Sequence, residues 1–124
     1  MKINNRDNKI TNSTKFYNPK EIIKGHFAPN KESPNAVWGL CAFPDGDLYC
    51  TVGDDGTLRV WSSKDRKQVR MIKTNLDSQG KELQVNQKTK DLNDASMGRS
   101  IDISPDGKLI AVGFKEGTIK VFIL

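Results

Sequence analysis

His26, Thr51 and Asp55 bring an imidazole, a hydroxyl and a carboxylate into one half of the chain, with the indole of Trp61 shortly after them. Such a trio is the raw material of nucleophilic catalysis: a nucleophile, its base, and the group that orients the base. Catalysis of that kind also needs donors aimed at a developing oxyanion and a sharp turn that exposes the nucleophile, and neither accompanies Thr51. The trio therefore reads as structural, and no catalytic residue is assigned. Metal chemistry is no better served. His26 is the sole histidine and no CxxC occurs, whereas metal sites need several such ligands at close spacing. The acidic turns Asp45-Gly46-Asp47 and Asp54-Asp55-Gly56 lack the alternating ligands and closing Glu of a calcium loop. No glycine-rich loop leads from a strand into a helix, so no phosphate cradle is expected either. No cofactor and no small-molecule substrate are assigned.

What positions these residues is a repeat. PDGDLYCTVGDDGTLRVW, from Pro44 to Trp61, aligns without a gap with PDGKLIAVGFKEGTIKVF, from Pro105 to Phe122. A repeat of this kind marks a supersecondary unit that cannot bury its apolar face alone. Around each copy, short alternating runs are separated by turn signals, which predicts strands. In the first copy these are Val37–Phe43, Leu48–Val52, Thr57–Trp61 and Gln68–Ile72; in the second, Ser100–Ser104, Leu109–Gly113 and Thr118–Phe122. Val37, Leu40 and Ala42 are expected to serve the core. Four antiparallel strands between turns make one propeller blade. The fold class is thus all-β, a partial β-propeller of about two four-stranded blades with the second incomplete. The expected organisation is a polar basic arm over 1–24, a blade over 25–73, a flexible insertion over 74–97 and a partial, degenerate blade over 98–124. The two copies stand 61 residues apart, against ~40–45 for blades of this type, and the 74–97 stretch holds the excess.

Cys41 and Cys50 are equidistant from the Pro44–Asp47 turn, so they should face each other across a hairpin, near enough to bond. Two packed thiols are expected, because the chain reads as intracellular and such thiols stay reduced. That reading rests on the first residues, MKINNRDNKI, which carry no apolar stretch of signal-peptide type. No apolar run approaches the ~20 residues of a membrane span. The net charge of +5 is concentrated early: Lys2, Arg6, Lys9, Lys15, Lys20 and Lys24 face only Asp7 and Glu21 before residue 25. A basic arm suits an acidic partner, though a solvated leader explains it as well. The 74–97 stretch carries three lysines (Lys81, Lys88, Lys90) against four acids (Asp77, Glu82, Asp91, Asp94), which argues against nucleic acid.

The order of these residues resembles a WD-repeat blade, in which Gly-His precedes the first strand, Ser or Thr sits on the second, Asp lies in the next turn and Trp-Asp ends the third. Gly25-His26, Thr51, Asp55 and Trp61 match, with Ser62 in place of the final Asp. The resemblance implies a structural tetrad in which Asp55 holds the His26 ring, His26 meets Thr51, and Thr51 meets the Trp61 N–H. The second copy has Val112, Glu116 and Phe122 at the matching positions and must rely on apolar packing. KGHF, VWGL and DDGTLRVW together, followed by GRSIDISPDGKLIAVG, are similar to consecutive blades of the echinoderm microtubule-associated protein-like (EML) family of WD-repeat proteins. That resemblance implies a non-enzymatic scaffold that associates with tubulin or microtubules, in the cytoplasm, at the cytoskeleton or in cilia. The alternative is a generic WD-repeat adaptor in ubiquitin transfer, trafficking or RNA processing. Trp38, near one rim of the propeller channel, is the candidate partner contact, with packing between blades as the competing role.

Overall fold

The computed structural model describes residues 19–26, 35–77, 79–81 and 96–124. Every regular element among them is a strand: β1 (Val37–Ala42), β2 (Leu48–Gly53), β3 (Thr57–Ser62), β4 (Gln68–Lys73), β5 (Gly98–Ile103), β6 (Leu109–Phe114) and β7 (Ile119–Ile123). They form one four-stranded sheet in the order β1-β2-β3-β4 and one three-stranded sheet in the order β5-β6-β7. All neighbours are antiparallel and consecutive, so each sheet is a meander. This is the partial propeller expected from the repeat, with the second blade one strand short.

The repeated Pro-Asp-Gly is a turn device. Asp45 accepts the backbone N–H of Asp47 at 3.0 Å, and Asp106 accepts that of Lys108 at 3.0 Å. Gly46 and Gly107 then adopt φ of 80° and 75°, a region glycine enters without a side-chain clash. Across the first of these turns Cys41 pairs with Cys50, as the symmetry of the hairpin requires. Both are free thiols.

Alternation along β2 and β3 sends Cys50, Val52, Leu58 and Val60 to one face, where they meet Ile110, Val112 and Phe114 of the second sheet. Leu58, Val52, Ile110 and Val112 are fully buried, and each such side chain contributes about 1.5–3 kcal/mol. This layer holds the two blades together. Close approach at its inner end requires glycine twice. A Cβ on Gly39 would lie 2.9 Å from Val52 Cγ2 and 3.0 Å from Ile101 Cγ2, and one on Gly98 would lie 2.9 Å from Val52 Cβ.

Two expectations need correction. Val37, Leu40 and Ala42 do not serve the core: all three are exposed, Leu40 at 68%. The strand turns Gly39 toward the second sheet instead, because only that side has a blade against it. β5 begins at Gly98 rather than Ser100, since Gly98 already pairs with Phe114. Most of the 74–97 insertion and of the 1–24 arm lies outside the described residues. The insertion's described ends are tied together: the buried Thr74 donates its hydroxyl to the carbonyl of Ser96 at 2.8 Å. Lys120 Nζ donates to the carbonyls of Thr74 and Leu76 at 2.9 and 3.0 Å.

The positions exposed on the outer faces are those buried at the existing junction. Ile119 and Val121, 72% and 61% exposed, stand one repeat after the buried Leu58 and Val60. The glycine contacts generate a prediction. Gly98→Ala should destabilise the chain by about 1–3 kcal/mol through overpacking, whereas Ile119→Ala should stay within about 0.5 kcal/mol. Urea unfolding followed by tryptophan fluorescence measures both, and a neutral Gly98→Ala would refute the close approach.

Candidate functional site

Residues 22–26 cross the free face of the first sheet and insert His26 between the β2–β3 turn and the strands that flank it. Thr51 on β2 and Trp61 on β3 share that face, and Asp55 occupies the turn. Their geometry is a closed relay. His26 Nδ1 lies 2.9 Å from Asp55 Oδ1, His26 Nε2 lies 2.7 Å from Thr51 Oγ1, and Trp61 Nε1 donates to Thr51 Oγ1 at 2.9 Å. A neutral ring with its proton on Nδ1 satisfies the chain: it donates to Asp55 and accepts from Thr51, whose oxygen accepts from the indole. All four residues are buried. The tetrad that the sequence pattern implies is assembled in full.

The structure adds members that the pattern does not include. Thr57 donates its hydroxyl and its backbone N–H to Asp55 Oδ1 at 2.8 and 3.1 Å. Arg59 Nη2 donates to Asp55 Oδ2 at 3.1 Å, Arg59 Nε to Thr57 Oγ1 at 3.0 Å, and Arg59 Nη1 to Gln68 Oε1 at 3.1 Å. The available signal was the alternation itself, which places Thr57, Arg59 and Trp61 on one face of β3. Burial alone would push the Asp55 carboxyl up. Hydrogen bonds from His26 and Thr57, with the positive charge of Arg59, outweigh it and hold the carboxyl below its ordinary value. Gly25 is needed for the same arrangement, since a Cβ there would fall 2.3 Å from Trp61 Cη2. Tyr49 stacks on the same indole, ring centres 6.4 Å apart.

A hydroxyl that already accepts from Trp61 and contacts His26 is held on both sides, without the exposure a nucleophile requires. Cys50 is no better placed: burial, with a smaller contribution from neighbouring Cys41, pushes its thiol up to about 12, far from the thiolate that reacts. No cluster of metal-ligating side chains occurs among the described residues.

Trp38 stands at the opposite extreme, 53% exposed. Its indole N–H donates to Asp54 Oδ2 at 3.1 Å. Arg99 from the second sheet lies over its ring, 4.4 Å from the centroid, and donates from Nε to Asp54 Oδ1 at 3.1 Å. Trp38 and Arg99 occupy equivalent positions in the two repeats, so this is a clasp between blades that still leaves about half of Trp38 open. The packing role foreseen for Trp38 is present, and about half of its surface stays open to solvent.

The WD domain, G-beta repeat profile matches residues 17–62 and again residues 93–122. The chain belongs to this family. Among curated relatives, the ciliary WD repeat-containing protein ctxp80 of Euplotoides octocarinatus is 32% identical over 104 residues, covering 82% of this chain and 13% of that protein. The meiotic recombination protein rec14 of Schizosaccharomyces pombe is 25% identical over 103 residues, covering 83% of this chain and 28% of that protein. This chain therefore spans less than a third of the length of either relative. Among solved structures, that of U3-55K superposes with a TM-score of 0.51 at 18% identity, over 71% of this chain and 23% of that one. The RRP9 WD40 repeats superpose with a TM-score of 0.53 at 17% identity, over 80% and 28%. These two likenesses concern the fold. WD-repeat proteins are generally non-enzymatic scaffolds that mediate protein–protein interactions.

The network makes two predictions. His26→Ala should cost about 1–3 kcal/mol, because it strips a partner from buried Asp55 and Thr51; chemical unfolding measures it. With the folded-state value of Asp55 depressed, its contribution is complete above the unfolded value near pH ~3.9 and is lost as pH falls through the folded value. Acid unfolding should therefore be less steep in Asp55→Asn than in the parent, read as urea midpoint against pH. Parallel curves would remove Asp55 from the acid limb.

Proposed function

We propose that this chain is a non-enzymatic WD-repeat interaction module whose partner is tubulin or the microtubule surface, acting in the cytoplasm, at the cytoskeleton or in a cilium. The observation that carries the non-enzymatic part is the closed relay at His26: the one imidazole is buried with both nitrogens engaged, which leaves it no substrate to touch. Support for the partner comes from the KGHF, VWGL and GRS segments, which resemble EML-type blades, and from similarity to a protein named as ciliary. The half-exposed Trp38, braced by Asp54 and Arg99, is the contact the partner would use. Aromatic side chains held rigid at the centre of a surface supply much of the binding energy in protein interfaces.

The second reading is a general adaptor in a multiprotein complex, in ubiquitin transfer, trafficking or RNA processing. It is favoured by the unlike roles in the names of the relatives, one ciliary and one of meiotic recombination. Cosedimentation with taxol-stabilised microtubules separates the two. The tubulin reading expects the chain in the pellet at low salt, with Trp38→Ala weakening association by about tenfold or more while the fold persists by circular dichroism. A chain that stays in the supernatant leaves the adaptor reading in its place.

A further inference from the structure

β4 lies at the opposite edge of the first sheet from β1, which carries Trp38, and it has a chemistry of its own. No strand among the described residues pairs with its outer side. Thr74 N donates to the carbonyl of Gly56 at 2.8 Å, so Gly56 and Thr74 form a bonded pair. Antiparallel alternation then turns the backbone groups of Ile72 and Arg70 toward β3 and those of Met71 outward. An exposed edge of this kind is a template for another strand.

The side chains say which strand. Lys64, Lys67 and Arg70 are all exposed along this stretch, and Val69 and Met71 are 56% and 45% exposed. The single acid in the segment is Asp65, which accepts the N–H of Lys67 in its own turn. The neighbouring Arg66 is engaged by Glu21. Pairing with β4 of a second copy would set these cations against one another, and like charges across a strand pair are destabilising. An acidic partner meets the reverse field. Strand addition draws affinity from main-chain bonds and selectivity from alternate side chains, and here those alternate side chains are cationic and apolar.

We propose that β4 receives an extended acidic peptide, with apolar residues alternating among its carboxylates, as an added fifth strand of the first sheet. This goes beyond the microtubule reading, because it concerns another surface and does not require Trp38.

The test is fluorescence anisotropy of labelled short peptides titrated with the 124-residue chain. A peptide alternating Glu and Val should bind, and its affinity should fall as salt is raised. A peptide alternating Lys and Val should not bind, nor should one alternating Glu and Pro, which carries the charge but cannot form a ladder. Met71→Pro removes an outward N–H without breaking a bond to β3, and should weaken binding by about tenfold. Should that variant fail to fold, Lys67→Glu with Arg70→Glu should abolish binding while circular dichroism is unchanged. Trp38→Ala should leave peptide binding intact whatever it does to microtubule association. The proposal is overturned if the Glu–Val peptide does not bind, or if the Glu–Pro peptide binds equally well. Unchanged affinity in the variants would overturn it too.

Discussion

The carboxylate of Asp55 has no exposure to solvent, and the first sheet is arranged around what that demands. A buried charge costs several kcal/mol unless it is paired and its lone pairs are occupied. Here Oδ1 is met by His26 and by Thr57 twice, and Oδ2 by Arg59. The donors come from the segment before β1, from the turn and from β3, so satisfying one group fixes three parts of the chain relative to each other. Thr51 and Trp61 extend the constraint to β2 and to the far end of β3. The second blade shows the alternative. Glu116 sits outside, bonding the N–H of Thr118, and Val112 and Phe122 pack where the hydroxyl and indole would be. One fold thus accepts either a satisfied polar network or plain apolar packing at the same place.

That division bears on function. Polar groups closed on one another beneath the surface specify geometry and have nothing left for a ligand. The side chains left open to solvent lie at the two edges of the first sheet: Trp38 with its Arg99 and Asp54 supports on β1, and the exposed cations of β4. The Trp38 clasp also reports on the junction, because its three members come from both blades. A displacement of one blade against the other would move the aromatic surface with it.

Much of this was legible in the residues. The repeat and the turn signals around it placed six of the seven strands within a residue or so of their ends, because Pro-Asp-Gly and Asp-Gly-Thr are turn chemistry that works locally. The tetrad was legible for a related reason: its members sit at set positions on strands and turns, so spacing predicts contact. Arg59 was not, since arginines on strands are ordinarily solvated, and only the sheet shows it curling back over Thr57 to Asp55. The stack of Arg99 on Trp38 escaped notice because it joins two blades, and pairing across a junction has no local signature. The misassigned core side of β1 has the same origin. Alternation says that one set of residues differs from the other, but which set is buried depends on where the neighbouring sheet stands.

The knot at the base of the long insertion has a consequence for the chain's architecture. Thr74 and Ser96 meet within a single hydrogen bond, and Lys120 grips the same backbone from the second blade. Residues 74 and 96 are therefore held to each other directly, by their own bond. Closing a larger excursion there costs little more, since the entropy of closure grows only with the logarithm of its size. Sequence added between residues 81 and 96 should therefore leave the two sheets in register.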